Sequence, residues 1–468
     1  MFILVQPMYS KQELNADSNY VIYTQWIRAM CKVRPDWHFV VIFPDSKSGF
    51  KYENDGFFSL PNVTRVAQRI STRKMSNAVT FDGIWYDRLF RKFGFDAVWC
   101  NLVEIAGNIR FSGQGTYEDA GRPIMLSSHN YVMHETLPYC TGDSLLNPML
   151  AQLQGAICSD YNIFNSDHCL SMFKDNMDEW LSNKAKQRLE KTMTKINYGP
   201  LEDGWFRRKE NDSNTCRIAY NHRLQSYKNY KLTFEQLNKL WEDGLRFEVL
   251  YMNNTSEMSS RLLKYPFVSL KLCKDRTEYL EALSTCDLNV INSVHETFCI
   301  AAIESMAFGQ PLIAPNGITF PEITGAKLNG YPYLFNTQNE QLDMLRKLIT
   351  DKNEREKWGE VVKNHTRTNY SGKLWVEQYA KLIEDTMEQR TISCKQGTYV
   401  QAEELLRQNK NVTVPKFHTL CQRNINVDGR QPVGSQSFPL TKILKLVRHI
   451  GGNIKMLNGE QVVGFYDE

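Results

Sequence analysis

The chain has 468 residues, too many for one hydrophobic core, so about two to four domains of roughly 100–200 residues each are expected. Its 42% hydrophobic and 23% charged residues exclude a wholly disordered or fibrous protein. No apolar run reaches the ~18 residues that a membrane span needs, so no stable membrane insertion is expected. The opening residues lack a basic segment and the 11 cysteines form no CxxC pair, which favours a cytoplasmic protein with reduced thiols.

The first predicted unit, residues 1–198, alternates short apolar strands with amphipathic helices. This alternation is typical of an α/β fold, in which helices cover both faces of a parallel sheet. The predicted strands are Phe2–Val5, His38–Phe43, Ala97–Cys100, Ile124–Ser127 and Tyr161–Phe164, and the predicted helices include Asn19–Val33, Tyr86–Phe93 and Pro148–Ile157.

The second predicted unit, residues 199–370, repeats the same alternation. Two such domains side by side create a cleft at the carboxyl ends of their strands, which is where these folds bind ligands. The predicted strands are Cys216–Tyr220, Arg246–Tyr251, Phe267–Lys271, Leu288–Ile291 and Pro311–Ala314, and the predicted helices include Thr233–Glu242, Arg276–Ser284 and Thr297–Phe308.

Two glutamates eight residues apart, Glu296 and Glu304, follow a predicted buried strand. On a continuous helix they would lie about 80° apart in projection and ~12 Å apart along the axis. They could then contact the two ends of one elongated ligand. The N–H groups of Thr297, Phe298 and Cys299 would open this helix, where the positive end of the helix dipole favours a phosphate.

The stretch from Ile291 to Pro315 resembles the donor site of retaining GT-B glycosyltransferases, particularly the large nucleotide-sugar family 4. It presents a strand, a serine, the E-x7-E pair and a helix that ends in Gly-x-Pro. The resemblance implies that Glu296 contacts the sugar hydroxyls and that Glu304 holds the ribose hydroxyls. It also implies a UDP-sugar co-substrate without a further cofactor, and a helix over residues 371–392 that crosses back to the first domain.

A second segment, Asn221-His-Arg-Leu-Gln-Ser-Tyr-Lys228, is similar to the Gly-Arg-Leu-x-x-x-Lys segment that supplies two cations to the donor phosphates in that family. Fixed positive charge is needed there because negative charge develops on the leaving diphosphate. Arg223 can grip two oxygens as a fork, and Lys228 acts as a point charge. In the first domain, His129 stands where the family often places a histidine against the transferred sugar, with His134 as the reserve candidate.

The chain departs from the family pattern at its glycines. His222 replaces the glycine before the arginine, and Thr297 and Cys299 replace both glycines of Glu-Gly-Phe-Gly. These changes bring Cβ groups to a place where the backbone approaches phosphate. No Asp-x-Asp sequence occurs, so we expect a metal-independent enzyme in which protein cations take the place of Mg²⁺. The resemblance implies front-side attack with retention and no protein nucleophile.

The last predicted unit, residues 393–468, is basic: nine Lys or Arg and one Asp lie between Leu405 and Gly459. Leu440–Ile450 has the apolar face of an amphipathic helix, and Asn458-Gly459 is a strong hairpin signal. Helices followed by a hairpin resemble a winged-helix module, which would bind an anionic partner such as DNA. The candidate nucleic-acid-binding residues are Lys442, Lys445 and Arg448.

These features predict a glycosyltransferase that moves a hexose or pentose from a nucleotide sugar to a hydroxyl acceptor. The leading hypothesis is a hydroxymethylated pyrimidine in bacteriophage DNA, modified in the host cytoplasm after the base leaves the stack. The segments 293–298 and 316–322 are also similar, more weakly, to enzymes that mannosylate queuosine in tRNA. The alternatives are a cytoplasmic transferase acting on a lipid, glycan or protein, and a non-enzymatic DNA-binding regulator that senses a nucleotide sugar.

Overall fold

The described residues form three β-sheets, two of them large and parallel and the third small and antiparallel. None of the helices within the described residues is long and apolar enough to cross a membrane. The computed structural model describes residues 1–9, 14, 17–52, 54–69, 82–114, 123–133, 146–199, 215–253, 261–395, 398–409, 412–417, 420, 447, 453–457 and 460–464.

The N-terminal domain contains a seven-stranded parallel sheet in the order β3-β2-β1-β4-β5-β6-β7. Its central strands are buried along nearly their whole length, as expected for a sheet covered by helices on both faces. Its strands are β1 (Phe2–Gln6), β2 (His38–Pro44), β3 (Val63–Gln68), β4 (Ala97–Cys100), β5 (Ile124–His129), β6 (Tyr161–Phe164) and β7 (Met193–Lys195). Its helices are α1 (Ser18–Val33), α2 (Gly83–Phe93), α3 (Ala106–Gln114), α4 (Leu146–Ile157), α5 (Asp167–Trp180) and α6 (Asn183–Glu190).

The C-terminal domain contains a six-stranded parallel sheet in the order β10-β9-β8-β11-β12-β13. The α/β class and the two Rossmann-like sheets predicted from the sequence are confirmed. Its strands are β8 (Cys216–Tyr220), β9 (Phe247–Asn253), β10 (Val268–Leu272), β11 (Leu288–Val290), β12 (Leu312–Pro315) and β13 (Leu334–Phe335). Its helices are α7 (Tyr230–Glu242), α8 (Arg276–Ser284), α9 (Ile300–Ala307), α10 (Phe320–Ile323), α11 (Ala326–Asn329), α12 (Gln338–Thr350) and α13 (Lys352–Asn369).

The long helix α14 (Gly372–Lys395) leaves the C-terminal domain and packs on α1 of the N-terminal domain. The Arg34 guanidinium donates to the Glu384 carboxylate at 2.6 and 2.8 Å, and Tyr379 packs against the buried Trp26. The start of this helix lies beside the earlier connection between the domains, since a Cβ added at Gly199 would meet the Ser371 carbonyl oxygen at 2.2 Å.

Beyond α14, the structure describes α15 (Thr398–Gln408) and a three-stranded antiparallel sheet. The hairpin predicted around Asn458-Gly459 is present, because β15 (Asn453–Leu457) pairs antiparallel with β16 (Glu460–Gly464). The third strand is β14 (Val412–Thr413). The predicted recognition helix lies outside the described residues except for Val447, so the winged-helix assignment stays a prediction.

Candidate active site

A cleft of about 870 Å³ lies between the two domains, at the carboxyl ends of both parallel sheets. Its lining residues come directly after strands: Asn130 follows β5, Asn165 follows β6, and Asn221 follows β8. This is the position in which open α/β sheets bind ligands, and the volume is in the range of small-molecule sites. The fold therefore brings residues distant in sequence to one site.

Lys228 and Glu296 form an ion pair in this cleft. Lys228 ends a 3₁₀ turn after β8, and Glu296 lies in the loop between β11 and α9. Their side chains are 11% and 12% exposed, so solvent screens the pair little. Burial alone would lower the pKa of Lys228, but the Glu296 carboxylate reverses this effect and raises it. Burial would raise the pKa of Glu296, and Lys228 holds it below its ordinary value.

Glu304 lies on helix α9, which follows the loop of Glu296, and is only 3% exposed. Its Oε1 accepts a hydrogen bond from Arg276 at 2.6 Å, and its Oε2 accepts one from the Tyr279 hydroxyl at 2.6 Å. Burial opposes the charge of Arg276, yet the Glu304 carboxylate raises the pKa of this group. Each carboxylate oxygen keeps a second lone pair, so Glu304 can accept further hydrogen bonds from a ligand.

A buried amide network fixes the floor of this half of the cleft. Asn221 Nδ2 donates to the Tyr279 hydroxyl at 3.0 Å and to the Ala301 carbonyl at 3.1 Å. Asn289 Nδ2 donates to Asn221 Oδ1 at 3.0 Å and to the Ser305 hydroxyl at 2.8 Å. Because these bonds join β8, β11, α8 and α9, the side chains of the Glu304 cluster are held in one arrangement.

The predicted start of the helix at Thr297 is wrong. Helix α9 begins at Ile300, and Cys299 precedes it with φ 68°, the left-handed region that non-glycine residues rarely adopt. Glu296 therefore lies in a loop, and the spacing calculated for a continuous helix does not apply. Thr297 and Phe298 instead contact the other domain: the Thr297 hydroxyl donates to the Asn130 carbonyl at 2.9 Å, and Phe298 packs on Tyr198.

Arg223 and His222 also line the cleft, next to Lys228. Arg223 is partly exposed. His222 is 7% exposed, and its Nε2 has no hydrogen-bond partner within the described part of the chain. Burial, helped by the nearby Lys228 charge, lowers the pKa of His222 to about 3. The imidazole is therefore neutral at physiological pH.

The described lining of the N-terminal half of the cleft combines uncharged polar side chains with apolar ones. Asn130 Nδ2 donates to Asn101 Oδ1 at 2.9 Å, and the Tyr131 hydroxyl donates to Glu104 at 2.5 Å. Burial raises the pKa of Glu104 to about 7. Ser18 and Asn19, at the start of α1, complete the polar part of this wall.

His129 is placed differently from the other predicted site residues. It is 0% exposed, it stacks on Phe164 with ring centroids 4.5 Å apart, and its Nε2 lies 2.9 Å from Asn162 Oδ1. It does not belong to the residues that line the cleft, whereas the next residue, Asn130, does. Burial lowers the pKa of His129 to about 4. A contact between His129 and a sugar stays a prediction, because the imidazole is buried and is not among the residues that line the cleft.

The structure adds residues that the sequence motifs did not indicate. Arg276 and Tyr279 on α8 bind Glu304, and Asn130 and Tyr131 follow β5. Arg276 comes four residues after the carboxyl end of β10, so the rule that ligands bind beyond the ends of parallel strands could have indicated it. The candidates His134, Lys442, Lys445 and Arg448 lie outside the described residues.

Residues 202–365, which contain the C-terminal half of this cleft, match the family model of the glycosyl transferases group 1. The chain also shares its architecture with solved structures. The match to sucrose-phosphate synthase from Thermosynechococcus elongatus covers 83% of this chain and 99% of that one, with a TM-score of 0.64 and 13% identity. The match to Anabaena HepE in complex with UDP and glucose covers 82% of this chain and 99% of that one, with a TM-score of 0.59 and 11% identity.

The fold is GT-B, and residues 202–365 of the chain match a glycosyltransferase domain. The chain is also 26% identical over 219 residues to a tRNA-queuosine alpha-mannosyltransferase of Drosophila melanogaster. That alignment covers 40% of this chain and 54% of the relative, so the chain matches about half the length of that curated protein. The GT-B architecture and the glycosyltransferase domain expected from the E-x7-E segment are confirmed.

Proposed function

We propose that this protein is a retaining glycosyltransferase that moves a sugar from a nucleotide sugar to a hydroxyl on a modified nucleobase. The observation that carries the donor part is the pair of acid–cation contacts, Lys228–Glu296 and Arg276–Glu304, in one interdomain cleft. The segment that holds all four residues matches the glycosyl transferases group 1. The neighbour HepE was solved with UDP and with UDP-glucose, which supports a UDP-sugar as the first donor to test.

The ion pair Lys228–Glu296 explains how a charged donor could enter a buried site at low cost. Without donor, each residue neutralises the other. A bound donor would exchange these partners: its β-phosphate takes the Lys228 ammonium, and its sugar hydroxyls donate to the Glu296 carboxylate. Lys228 then keeps an ionic partner and the Glu296 carboxylate keeps hydrogen-bond donors, so neither buried ion is left without a partner. Arg223 would add a forked contact to the same diphosphate.

The proposed transfer step forms a bond between the anomeric carbon and the acceptor oxygen, while the bond from that carbon to the β-phosphate oxygen breaks. The leaving phosphate takes the proton of the acceptor hydroxyl, so no protein base or nucleophile is required. Lys228 and Arg223 would stabilise the charge that develops on the diphosphate, and this kind of electrostatic stabilisation is usually the largest catalytic contribution. Glu304 would hold the ribose hydroxyls and fix the donor along the cleft.

Two observations support a nucleobase acceptor. The tail is strongly basic, with nine cations and one acid between residues 405 and 459. The relative from Drosophila melanogaster is named for tRNA-queuosine. The second observation favours a hypermodified tRNA base as a candidate beside the hydroxymethylated pyrimidine of DNA. In either case the neutral wall around Asn130 and Tyr131 would receive the acceptor.

The experiment that tests this proposal supplies the full chain with a panel of UDP- and GDP-sugars. The acceptors are unmodified DNA, hydroxymethylated DNA and tRNA carrying queuosine. After digestion to nucleosides, mass spectrometry detects a nucleoside with an added hexose or pentose, and NMR compares its anomeric configuration with that of the donor. We expect one acceptor to gain a sugar with retention. Release of nucleoside diphosphate without sugar on any of these nucleic acids, or an inverted product, would contradict the proposal.

The basic tail is tested separately, by exchanging Lys442, Lys445 and Arg448 for glutamine. We expect weaker nucleic-acid binding and a smaller salt slope, by about 0.9 for each duplex phosphate that the variant no longer neutralises. A matched variant exchanges three exposed lysines outside the tail for glutamine and should bind as the unmodified chain does. Equal affinities in the two variants would reject the tail assignment. The three control positions are Lys352, Lys357 and Lys381.

A further inference from the structure

Three potential metal ligands lie close together in the C-terminal half of the cleft, where the donor is proposed to bind: His222, Glu296 and Cys299. A ring nitrogen, a carboxylate oxygen and the thiol sulfur all lie within 4.8 Å of one another. All three residues line the cleft. They come from two segments, since His222 follows β8 and the other two lie in the loop before α9.

Two features of this group point to a ligand. The Nε2 of His222 has no hydrogen-bond partner among the residues that the structure describes, although His222 is more than nine-tenths buried. A buried nitrogen without a partner costs free energy unless something binds it. Cys299 adopts φ 68°, a conformation that costs a non-glycine residue on the order of 1–3 kcal/mol. His222 and Cys299 both occupy positions at which the family pattern described above has glycine. Both side chains therefore add groups that the pattern lacks.

The ligand atoms of this group favour some metal ions over others. Imidazole, carboxylate and thiolate together suit zinc, whereas magnesium prefers oxygen ligands alone. Ligand atoms in a tetrahedral zinc site are roughly 3–4 Å apart, given bonds of about 2.0–2.3 Å. Small side-chain rotations would therefore bring this group into coordination. Three protein ligands with one open position are the arrangement of an accessible zinc site rather than a closed structural one.

We propose that His222, Glu296 and Cys299 form a zinc site that excludes the nucleotide-sugar donor when it is filled. On binding, the Cys299 S–H bond is replaced by an S–Zn bond, and the proton leaves to solvent without any redox change. The Glu296 carboxylate turns from Lys228 to the metal. Glu296 is then engaged by the metal and cannot accept the sugar hydroxyls, and zinc takes up space beside Lys228, so the donor arrangement proposed above cannot form.

The coordination part of this proposal stands on its own, while the exclusion of donor rests on the proposed function. The test uses the full chain freed of metal with a chelator. Zn²⁺ is titrated against a chromophoric chelator, and Co²⁺ is used as the spectroscopic substitute. We expect one ion per chain and, with Co²⁺, the charge-transfer absorption of a cobalt–thiolate bond.

Two variants locate the ion. Cys299→Ser and His222→Gln should each lower the affinity for Zn²⁺ at least about tenfold, because loss even of a supporting group outside a metal's ligands costs that much. Cys299→Ser should also abolish the cobalt–thiolate band. The matched control is Cys31→Ser, a partly buried cysteine on α1, which should bind Zn²⁺ as the unmodified chain does. Thermal melting of all variants reports whether they fold.

The outcomes separate the two proposals. Zinc binding that is unaffected by both variants, or an unchanged cobalt spectrum in Cys299→Ser, would overturn the site. UDP binding is then measured by fluorescence with and without one equivalent of Zn²⁺. We expect Zn²⁺ to weaken UDP binding at least tenfold in the unmodified chain and to have a smaller relative effect in Cys299→Ser. An equal effect in both would overturn the exclusion of donor. Sugar transfer with no zinc binding would leave the proposed function intact.

Discussion

The two walls of the cleft differ in their chemistry. The C-terminal wall holds buried charges in matched pairs, Lys228 with Glu296 and Arg276 with Glu304. The described lining of the N-terminal wall consists of apolar side chains, hydroxyls and amides such as Asn130, without a lysine or arginine. A wall of paired charges suits a diphosphate and its sugar, whereas a neutral wall suits hydroxyl groups. An anionic acceptor would therefore be held by its backbone elsewhere on the protein.

The largest effect is expected for Lys228→Ala, which tests whether the charged wall of the cleft carries out the chemistry. Removal of the cation leaves the buried Glu296 unpaired and, under the proposed function, takes away the charge that would face the leaving diphosphate. We expect kcat to fall on the order of 10²–10³-fold, as for the loss of one preorganised donor at a reacting oxyanion. Release of nucleoside diphosphate at saturating donor measures it. The exposed Lys231, three residues away, gives the matched control Lys231→Ala, which should keep full activity. Normal turnover in Lys228→Ala would place the chemistry elsewhere.

A smaller effect is expected for Glu304→Ala, which tests whether the second charged pair binds the donor. Hydrogen bonds to a charged group are worth about 1.5–3 kcal/mol, so donor affinity should fall roughly 10- to 100-fold. Calorimetric titration with UDP measures the change. Glu281→Gln alters an exposed carboxylate on the same helix as Arg276 and should bind UDP normally. If Glu304→Ala binds UDP as tightly as the unmodified chain, the ribose contact assigned to Glu304 is incorrect.

A third effect concerns His129, which is buried in the N-terminal domain outside the cleft lining. Burial depresses the pKa of His129 to about 4, from 6.5 in the unfolded chain. Between these values the unfolded state binds the extra proton, so stability is present above about pH 6.5 and is lost as the pH falls toward 4. At pH 5 the loss is about 2 kcal/mol.

Urea unfolding at pH 7.5 and pH 5 checks this expectation. The drop in the free energy of unfolding between the two pH values should be about 2 kcal/mol smaller in His129→Asn than in the unmodified chain. The remaining drop includes His222, whose pKa burial also depresses. The same drop in both proteins would show that His129 is protonated in the folded state and reaches solvent.

Most of the fold could be predicted because buried central strands appear as apolar runs. The described strands that the sequence did not indicate are β3, β7, β13 and β14, and all four lie at sheet edges. In β3 only the first residue is buried, so its pattern alternates and lacks a continuous apolar run. Edge strands are covered on fewer sides, and their residues carry a weaker hydrophobic signal.

Only those site residues that belong to local sequence motifs were predicted. Lys228, Arg223, Glu296 and Glu304 were indicated by spacing along the chain, and all four line the cleft. Arg276 and Tyr279 were not indicated, because their role depends on how α8 packs beside α9. The start of α9 was also wrong, since helix propensity does not reveal that the backbone turns left-handed at Cys299.

The close approach of Gly199 and Ser371 has a mechanical consequence. The chain passes between the domains at these two points, and they lie side by side. Two adjacent crossings define a single axis, so one domain can rotate against the other by changing a few backbone angles there. An interdomain contact between two cleft residues that would break on opening is the hydrogen bond from the Thr297 hydroxyl to the Asn130 carbonyl at 2.9 Å. The width of the cleft would thus depend on the backbone at Gly199 and Ser371.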